Sequence, residues 1–184
     1  MQTELWIGSY VLFRYSIPIE RINIGLFKRR LKEFTVLSPM DGNTTELVEV
    51  PDEVFSQKIM GDGLAIEWTG GDVYAPVSGE IATLITPSCH AFGIRHESGL
   101  EILVHVGLET VNLKGEGFKT LKKVGDYVEA GDKILEIDYN LLKKKNINLL
   151  SPIIVLNSDY FKIKEHTKNH SVKNGEKLFI CTEI

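Results

Sequence analysis

The strongest constraint on the fold is the regular alternation of short apolar runs with turn-forming residues. From Thr35 onward, runs rich in Val, Ile and Leu are interrupted at intervals of roughly eight to twelve residues by turns containing Gly, Pro or Asp. Such short runs are typical of strands, and a helical period is weak except at residues 139–145, where one or two helical turns are expected. The pattern predicts an all-β, antiparallel sandwich or barrel.

A faint internal repeat refines this prediction. Residues 123–135 read as strand, turn and strand, and residues 172–178 repeat the second half of that pattern. Gly131 and Gly175 stand at equivalent turn positions, where a hairpin needs positive φ. The repeat resembles the hairpins of biotinyl and lipoyl carrier domains, but it has no lysine flanked by methionine. We therefore expect duplicated hairpin motifs and no swinging prosthetic group.

Length, charge and cysteine usage exclude several classes of protein. A chain of 184 residues with 43% hydrophobic content can form one domain with a real core. A net charge of −4 argues against nucleic-acid binding. Cys89 and Cys181 form no disulfide framework, which favours a reducing cytoplasm. There is no apolar run of about 18 residues, so a membrane-spanning helix is not expected.

The first 34 residues differ in texture from the rest, so we divide the chain into an extension (1–34) and a domain (35–184). Residues 1–24 match no known motif and could be a disordered extension, a weak strand or sequence upstream of the true start. Residues 25–34 could form a short helix with an apolar and a basic face. That helix would contact an anionic membrane weakly, and the alternative is a solvated basic linker. Its apolar residues are Leu26, Phe27, Leu31 and Phe34, and its basic residues are Lys28, Arg29, Arg30 and Lys32.

Two histidines stand in apolar runs that read as buried strands. His90 lies in residues 89–94 and His105 in residues 102–108, with a turn at Gly99 between them. The two strands can pair as a hairpin and bring the imidazoles together. Such a pair could be a nucleophilic centre or half of a metal site. The remaining histidines lie in polar stretches and are expected to be exposed: His96, His166 and His170.

Several longer motifs accompany the histidines. Together they resemble the enzyme IIA component, glucose class, of the bacterial sugar phosphotransferase system, over roughly Thr35 to the C-terminus. The motifs are Val54-Phe55-Ser56-Gln57-Lys58-Ile59-Met60-Gly61-Asp62-Gly63-Leu64-Ala65-Ile66, Ala75-Pro76-Val77-Ser78-Gly79, His90-Ala91-Phe92, His105-Val106-Gly107-Leu108-Glu109-Thr110-Val111 and Leu113-Lys114-Gly115-Glu116-Gly117-Phe118.

The resemblance implies a phosphoryl carrier that accepts phosphate from phospho-HPr and donates it to the IIB domain of a sugar permease. In the family, the histidine at the His105 position carries the group on the nitrogen far from the main chain. His90 would then stabilise the charge of the phosphoryl group, with the Ser88 hydroxyl as a supporting donor and Lys58 and Lys114 as candidate cations. The carrier would be cytoplasmic, would need no cofactor and could also bind regulatory target proteins.

An apolar rim around His105 would suit a protein partner better than a small molecule. The candidate rim residues are Val54, Phe55, Met60, Leu103, Val106 and Val111. The sequence has no phosphate-binding P-loop and no acidic cluster for Mg²⁺, so the phosphate should come from a protein and not from ATP.

Two rival functions compete with that of a phosphoryl carrier. Zinc peptidases of the lysostaphin type resemble the same β architecture, and His90 and His105 could supply two zinc ligands. Their His-x-His element is absent at His105-Val106-Gly107, however. A zinc ion held by the two histidines and a partner's carboxylate is a related alternative. The second rival is a non-catalytic regulator that binds proteins according to its phosphorylation state.

Overall fold

The computed structural model describes residues 32–167 and 169–184. In these residues β-strands dominate and the helices are short, which confirms the all-β prediction and the helical turns expected at 139–145. The strands are β1 (Glu33–Leu37), β2 (Asp41–Glu46), β3 (Asp62–Gly70), β4 (Val73–Tyr74), β5 (Gly79–Leu84), β6 (Ala91–Arg95), β7 (Glu101–His105), β8 (Phe118–Thr120), β9 (Tyr127–Val128), β10 (Lys133–Ile137), β11 (Leu150–Val155), β12 (Phe161–His166), β13 (Ser171–Val172) and β14 (Lys177–Glu183). The helices are α1 (Glu53–Ser56) and α2 (Tyr139–Lys144), with 3₁₀ turns at Leu47–Glu49 and Thr110–Leu113.

The basic helix expected over residues 25–34 does not reach Phe34. Glu33 and Phe34 belong to β1, which pairs antiparallel with β14. Phe34 packs edge-on against Phe161 and His96, with ring centroids 5.8 and 5.4 Å apart, so its ring forms part of the domain's packing. Residues 25–31, like residues 1–24, lie outside the described part of the chain. Among the described residues, the helices have neither the length nor the hydrophobicity of a membrane span.

The internal repeat seen in the sequence has a matching backbone pattern. The N–H of Gly131 donates to the Ala75 carbonyl at 2.8 Å, and the N–H of Gly175 donates to the Ser38 carbonyl at 2.9 Å. Both glycines have positive φ, at 91° and 83°, as the hairpin turns require. The two hairpin turns are thus hydrogen-bonded in the same way, one to residues 75–79 and the other to residues 38–42. Each of these two segments contains a proline.

The largest sheet of the described residues carries the histidine hairpin near its middle. Its strand order is β13-β2-β3-β11-β7-β6-β5-β9, and the smaller sheets are β1-β14-β12 and β4-β10-β8. Strand β7 pairs antiparallel with both β6 and β11. Because β7 has a neighbour on each side, its backbone is hydrogen-bonded along both edges, and this gives the site a rigid platform.

The central strands are buried on both faces, which explains their unbroken apolar runs. Ile102 and Val104 point into the main core, whereas Leu103 between them belongs to a second, smaller cluster on the opposite face. Side chains alternate along a strand, so His105 projects to the same face as Leu103. The smaller cluster contains Leu47, Val50, Phe55, Ala65, Ala91, Leu103, Leu108 and Ile154.

Candidate functional site

The β6–β7 hairpin brings His90 and His105 together, which confirms the adjacency expected from the sequence. Ala91 stands opposite His105 in the strand register, and the N–H of Val106 donates to the His90 carbonyl at 2.8 Å. The two ring centroids are 4.8 Å apart, and the ring planes are nearly perpendicular at 78°. A group bound to one imidazole would therefore lie within reach of the other.

Helix α1 covers the far side of His105. Asp52 caps this helix by accepting the N–H of Val54 at 2.9 Å. The cap fixes the first turn, from which Phe55 packs edge-on against His105 with ring centroids 5.2 Å apart. Phe55 is buried and His105 is half-buried, so Phe55 limits the access of water to the imidazole.

Ser88 orients the His90 ring. Both side chains are buried, and Ser88 Oγ lies 2.6 Å from His90 Nδ1. When the hydroxyl donates to Nδ1, the neutral ring keeps its proton on Nε2 and can donate from there. The half-buried Cys89 between them has φ of 53°, a left-handed conformation that turns the chain into β6.

Both imidazoles are neutral at neutral pH. Burial lowers the pKa of His90 below its ordinary 6.5. Burial and, second, the neighbouring His90 lower the pKa of His105 to about 4, against the opposing influence of the Gly107 backbone and Asp52. Desolvation penalises the imidazolium ion, so the dry pocket favours the neutral ring. A neutral imidazole has a free lone pair and is a nucleophile.

The inner nitrogen of His105 faces the protein interior. Its Nδ1 is buried and has no hydrogen-bond partner among the described residues. The Gly107 backbone lies near enough to raise the pKa of the ring without meeting hydrogen-bond geometry. Catalytic hydrogen bonds are often long before a reaction and tighten during it. This arrangement leaves the outer nitrogen, Nε2, for chemistry.

The structure divides the residues expected to form the apolar rim into two groups. Val54, Met60 and Val111 are exposed, at 41%, 37% and 51%. Leu103 and Val106 are buried and cannot form part of an exposed rim; the sequence-based assignment of these two was wrong. Phe55 is also buried, so its assignment to the exposed rim was wrong as well; its ring instead packs edge-on against His105.

Some of the other charged and titratable residues lie where the sequence analysis did not place them. Lys58, a candidate cation, forms an ion pair with Asp62 at 2.6 Å. His96 is half-buried against Phe34 and not exposed as expected, whereas His166 and His170 are exposed. Asp52, which the sequence analysis overlooked, influences His105 electrostatically and could have been noticed as a helix-capping residue.

Within residues 32–167 and 169–184, no group of three or more His, Cys, Asp or Glu side chains converges as a metal site would require. His90 and His105 could still supply two ligands to a zinc ion whose remaining ligand is a partner's carboxylate. That shared zinc site stays a prediction.

Comparison with known proteins identifies a close match over most of the chain. Residues 34–161 match the family model described as phosphoenolpyruvate-dependent sugar phosphotransferase system, EIIA 1. The chain is 40% identical over 153 residues to a PTS system glucose-specific EIIA component of Halalkalibacterium halodurans, covering 83% of this chain and 88% of that protein.

Two further matches concern a solved structure and a larger protein. The fold matches the glucose permease IIA from Mycoplasma capricolum with a TM-score of 0.76 and 42% identity, covering 81% of this chain and 96% of that one. The chain is also 41% identical over 145 residues to a PTS system glucoside-specific EIICBA component of Staphylococcus carnosus, covering 79% of this chain and 21% of that protein.

The buried pair predicts a distinctive response to acid. In an NMR titration of the histidine rings, we expect His105 to titrate with a pKa of about 4, because burial and His90 disfavour its cation. The unfolded chain binds more protons than the folded one between this value and 6.5. The contribution of His105 to the free energy of unfolding should therefore be at its full value above pH 6.5 and should be lost as the pH drops toward 4.

The substitution His105→Gln should remove part of this loss of stability below pH 6.5. The exposed His166, outside the histidine pair, supplies the control, because His166→Gln should leave the titration of the His105 ring unchanged. A His105 ring that titrates at or above 6.5 would contradict a dry, cation-excluding pocket.

Proposed function

The chain belongs to the EIIA 1 family of the phosphoenolpyruvate-dependent sugar phosphotransferase system, and we propose that it carries the phosphoryl group on Nε2 of His105. Family membership makes it a transferase, a phosphoryl carrier between HPr and the IIB domain of a sugar permease. The observation that supports the assignment to His105 is its neutral ring, whose centroid lies 4.8 Å from the centroid of the buried His90 ring.

The transfer needs only the lone pair of a neutral imidazole. The Nε2 lone pair of His105 attacks the phosphorus of phosphohistidine on the donor protein. The new N–P bond forms as the donor's N–P bond breaks, and the donor imidazole leaves with that electron pair. The proton of His105 stays on Nδ1, facing Gly107. In donation to the permease domain, a nucleophile of that domain attacks the phosphorus as the bond between phosphorus and His105 Nε2 breaks, and the neutral His105 imidazole leaves with that electron pair.

His90 supports the charge that this step brings. A phosphoryl group carries about −1.5 to −2 charges near pH 7, and a mostly apolar pocket offers few donors. With Ser88 holding Nδ1 of His90 at 2.6 Å, the N–H at Nε2 can donate to a phosphoryl oxygen on His105. Phe55 limits the access of water to the imidazole and so protects the labile N–P bond.

The surface beside His105 is suited to a protein partner that carries both apolar and basic residues. The exposed side chains of Val54, Met60 and Val111 offer apolar contacts. Next to them is a groove of about 380 Å³ whose lining includes the carboxylates of Asp52 and Glu109. Opposite charge on the partner would speed docking and set its orientation.

The rival functions receive less support. None of the matches described above is named as a peptidase. Binding of regulatory target proteins remains a prediction, and it is compatible with phosphate transfer because both could use the same surface.

His105 is tested most directly by substitution. His105→Gln should abolish acceptance of phosphate from phospho-HPr, since glutamine has no comparable nucleophilic lone pair, while thermal unfolding stays cooperative. Intact-mass measurement after incubation with phosphoenolpyruvate, enzyme I and HPr gives the readout. Acid-labile, base-stable phosphate on the substituted protein would place the carrier residue elsewhere.

His90 should matter for donation more than for acceptance. We expect His90→Gln to accept phosphate from phospho-HPr but to donate it to the IIB domain about 10²–10³ times more slowly, the usual effect of losing one transition-state donor. Rapid-quench measurement of both half-reactions separates the two. The half-buried His96 is the matched control, and His96→Gln should leave both rates unchanged. Equal donation by both variants would remove His90 from the mechanism.

We also propose a cytoplasmic carrier that contacts the inner membrane surface weakly through residues 25–32. This shortens the expected arm by the two residues that β1 takes. The segment holds four basic residues, Lys28, Arg29, Arg30 and Lys32, and each contributes about 1 kcal/mol near an anionic surface. Attachment of this strength is reversible and falls with salt, and it would keep the carrier close to its permease.

Co-sedimentation of the full chain with vesicles tests this proposal. Replacing Lys28, Arg29 and Arg30 by Ser should weaken binding to anionic vesicles at low salt, and neutral vesicles should bind neither protein. The matched control replaces Lys143, Lys144 and Lys145 by Ser, which removes the same charge from the α2 region. If both triple variants bind anionic vesicles equally, the arm is a linker.

A further inference from the structure

The loop after His105 is held by two hydroxyl groups that are fully buried. Ser151 and Thr110 both have 0% exposure, and neither is part of the histidine pair. Ser151 lies in the central strand β11, where its backbone pairs with Ile66 and where an apolar side chain would normally stand. A hydroxyl at such a position is costly unless it is hydrogen-bonded, so its partners show what it does.

The peptide plane between Val106 and Gly107 is held at both ends. Its N–H, on Gly107, donates to Ser151 Oγ at 3.0 Å, and the Ser151 hydroxyl in turn donates a hydrogen bond to the Leu149 carbonyl at 2.9 Å. Its carbonyl, on Val106, accepts from Thr110 Oγ1 at 2.8 Å. The plane therefore cannot rotate without breaking a buried hydrogen bond.

The next peptide plane, between Gly107 and Leu108, is held mainly at its N–H. Leu108 donates to the Asn148 carbonyl at 2.8 Å. Thr110 Oγ1 is 3.4 Å from the Gly107 carbonyl, but its single proton goes to the shorter contact with Val106. The Gly107 carbonyl thus keeps acceptor capacity for the His105 ring, whose pKa the Gly107 backbone raises.

Glycine is required where the two planes meet. Gly107 has φ of 66°, and a Cβ there would lie 2.9 Å from Thr110 Cγ2 and 3.0 Å from the Asn148 carbonyl oxygen. The turn is therefore packed as closely as a glycine allows, so small shifts of the hydroxyls would move the Gly107 carbonyl.

We propose that Ser151 and Thr110 are positioning residues, which hold the peptide plane between Val106 and Gly107 and so orient the adjoining Gly107 carbonyl to select the Nδ1–H tautomer of His105. That tautomer leaves the Nε2 lone pair free for phosphorus. This inference rests on the proposed function, because it explains how the carrier nitrogen is kept available. Neither hydroxyl touches the phosphoryl group.

The test measures the tautomer of His105 directly. In protein labelled with ¹⁵N-histidine and free of phosphate, the ¹⁵N shifts of the His105 ring report which nitrogen bears the proton, and His105→Gln assigns the signals. We expect the Nδ1–H form in the unsubstituted protein and a shift toward the Nε2–H form in Ser151→Ala. Ser151→Thr, which restores a hydroxyl, should return the signals toward the original values.

The rate of phosphate acceptance should follow the tautomer. We expect acceptance by Ser151→Ala to fall about tenfold, equivalent to about 1.4 kcal/mol in activation free energy. The control is Ser38→Ala. Ser38 is also buried and donates to the Met40 carbonyl at 2.7 Å, away from the loop after His105. The Ser38→Ala protein should be less stable, but its ¹⁵N shifts and its rate of phosphate acceptance should be unchanged.

Thr110→Val provides a second variant of nearly equal volume, in case Ser151→Ala does not fold. It should also shift the tautomer, and Thr110→Ser should not.

Unchanged ¹⁵N shifts in Ser151→Ala and Thr110→Val would overturn the proposal even if both unfold at lower temperature. An equal shift in Ser38→Ala would overturn it too, as a general effect of destabilisation. If the unsubstituted protein takes no phosphate on His105, the proposed function fails, whereas the ¹⁵N result still decides the positioning role.

Discussion

The hydrogen bond between Val106 N–H and the His90 carbonyl, at 2.8 Å, closes the β6–β7 pairing at the point where the site begins. The rings themselves contribute little to this arrangement, because an aromatic pair is worth about 0.5–1.5 kcal/mol. The backbone register does most of the work of holding them together. A slip of one residue in β7 would turn His105 into the main core and Val104 out of it, so the hydrophobic pattern of the strand also protects the site.

Burial then gives the histidines their chemical character. The smaller apolar cluster, which includes Phe55, surrounds His105 with low-polarity atoms; this burial and, second, the neighbouring His90 lower its pKa to about 4. A neutral ring is a nucleophile over the whole physiological range of pH, but the same dryness makes an added phosphoryl charge costly. The site is therefore suited to transient phosphorylation, because the acceptor imidazole is neutral at physiological pH and the phosphorylated state is only moderately stabilised.

The chain's patterns predicted a large part of this structure. Strand-length apolar runs and regularly spaced turns indicated the β fold, and the Gly99 turn indicated the hairpin that joins His90 to His105. The exposed residues of the rim were harder to predict. Strand β7 is buried on both faces, and its unbroken run of apolar residues does not show which side chains lie near the surface. Leu103 and Val106 were therefore misplaced. Phe34 was misplaced because apolar spacing over ten residues fits a helix face and the start of a strand equally well.

The sequence by itself determined the strands, the turns and the chemical identity of the two imidazoles, because all three depend on local residue type and spacing. Tertiary structure alone decided which residues surround His105. Ser151 lies far along the chain from Gly107, yet the pairing of β11 with β7 brings its hydroxyl to within 3.0 Å of the Gly107 nitrogen. No local pattern marks such a residue, because its partner is set by strand order and register. The low pKa of His105 has the same origin, since desolvation depends on what packs above and below the sheet.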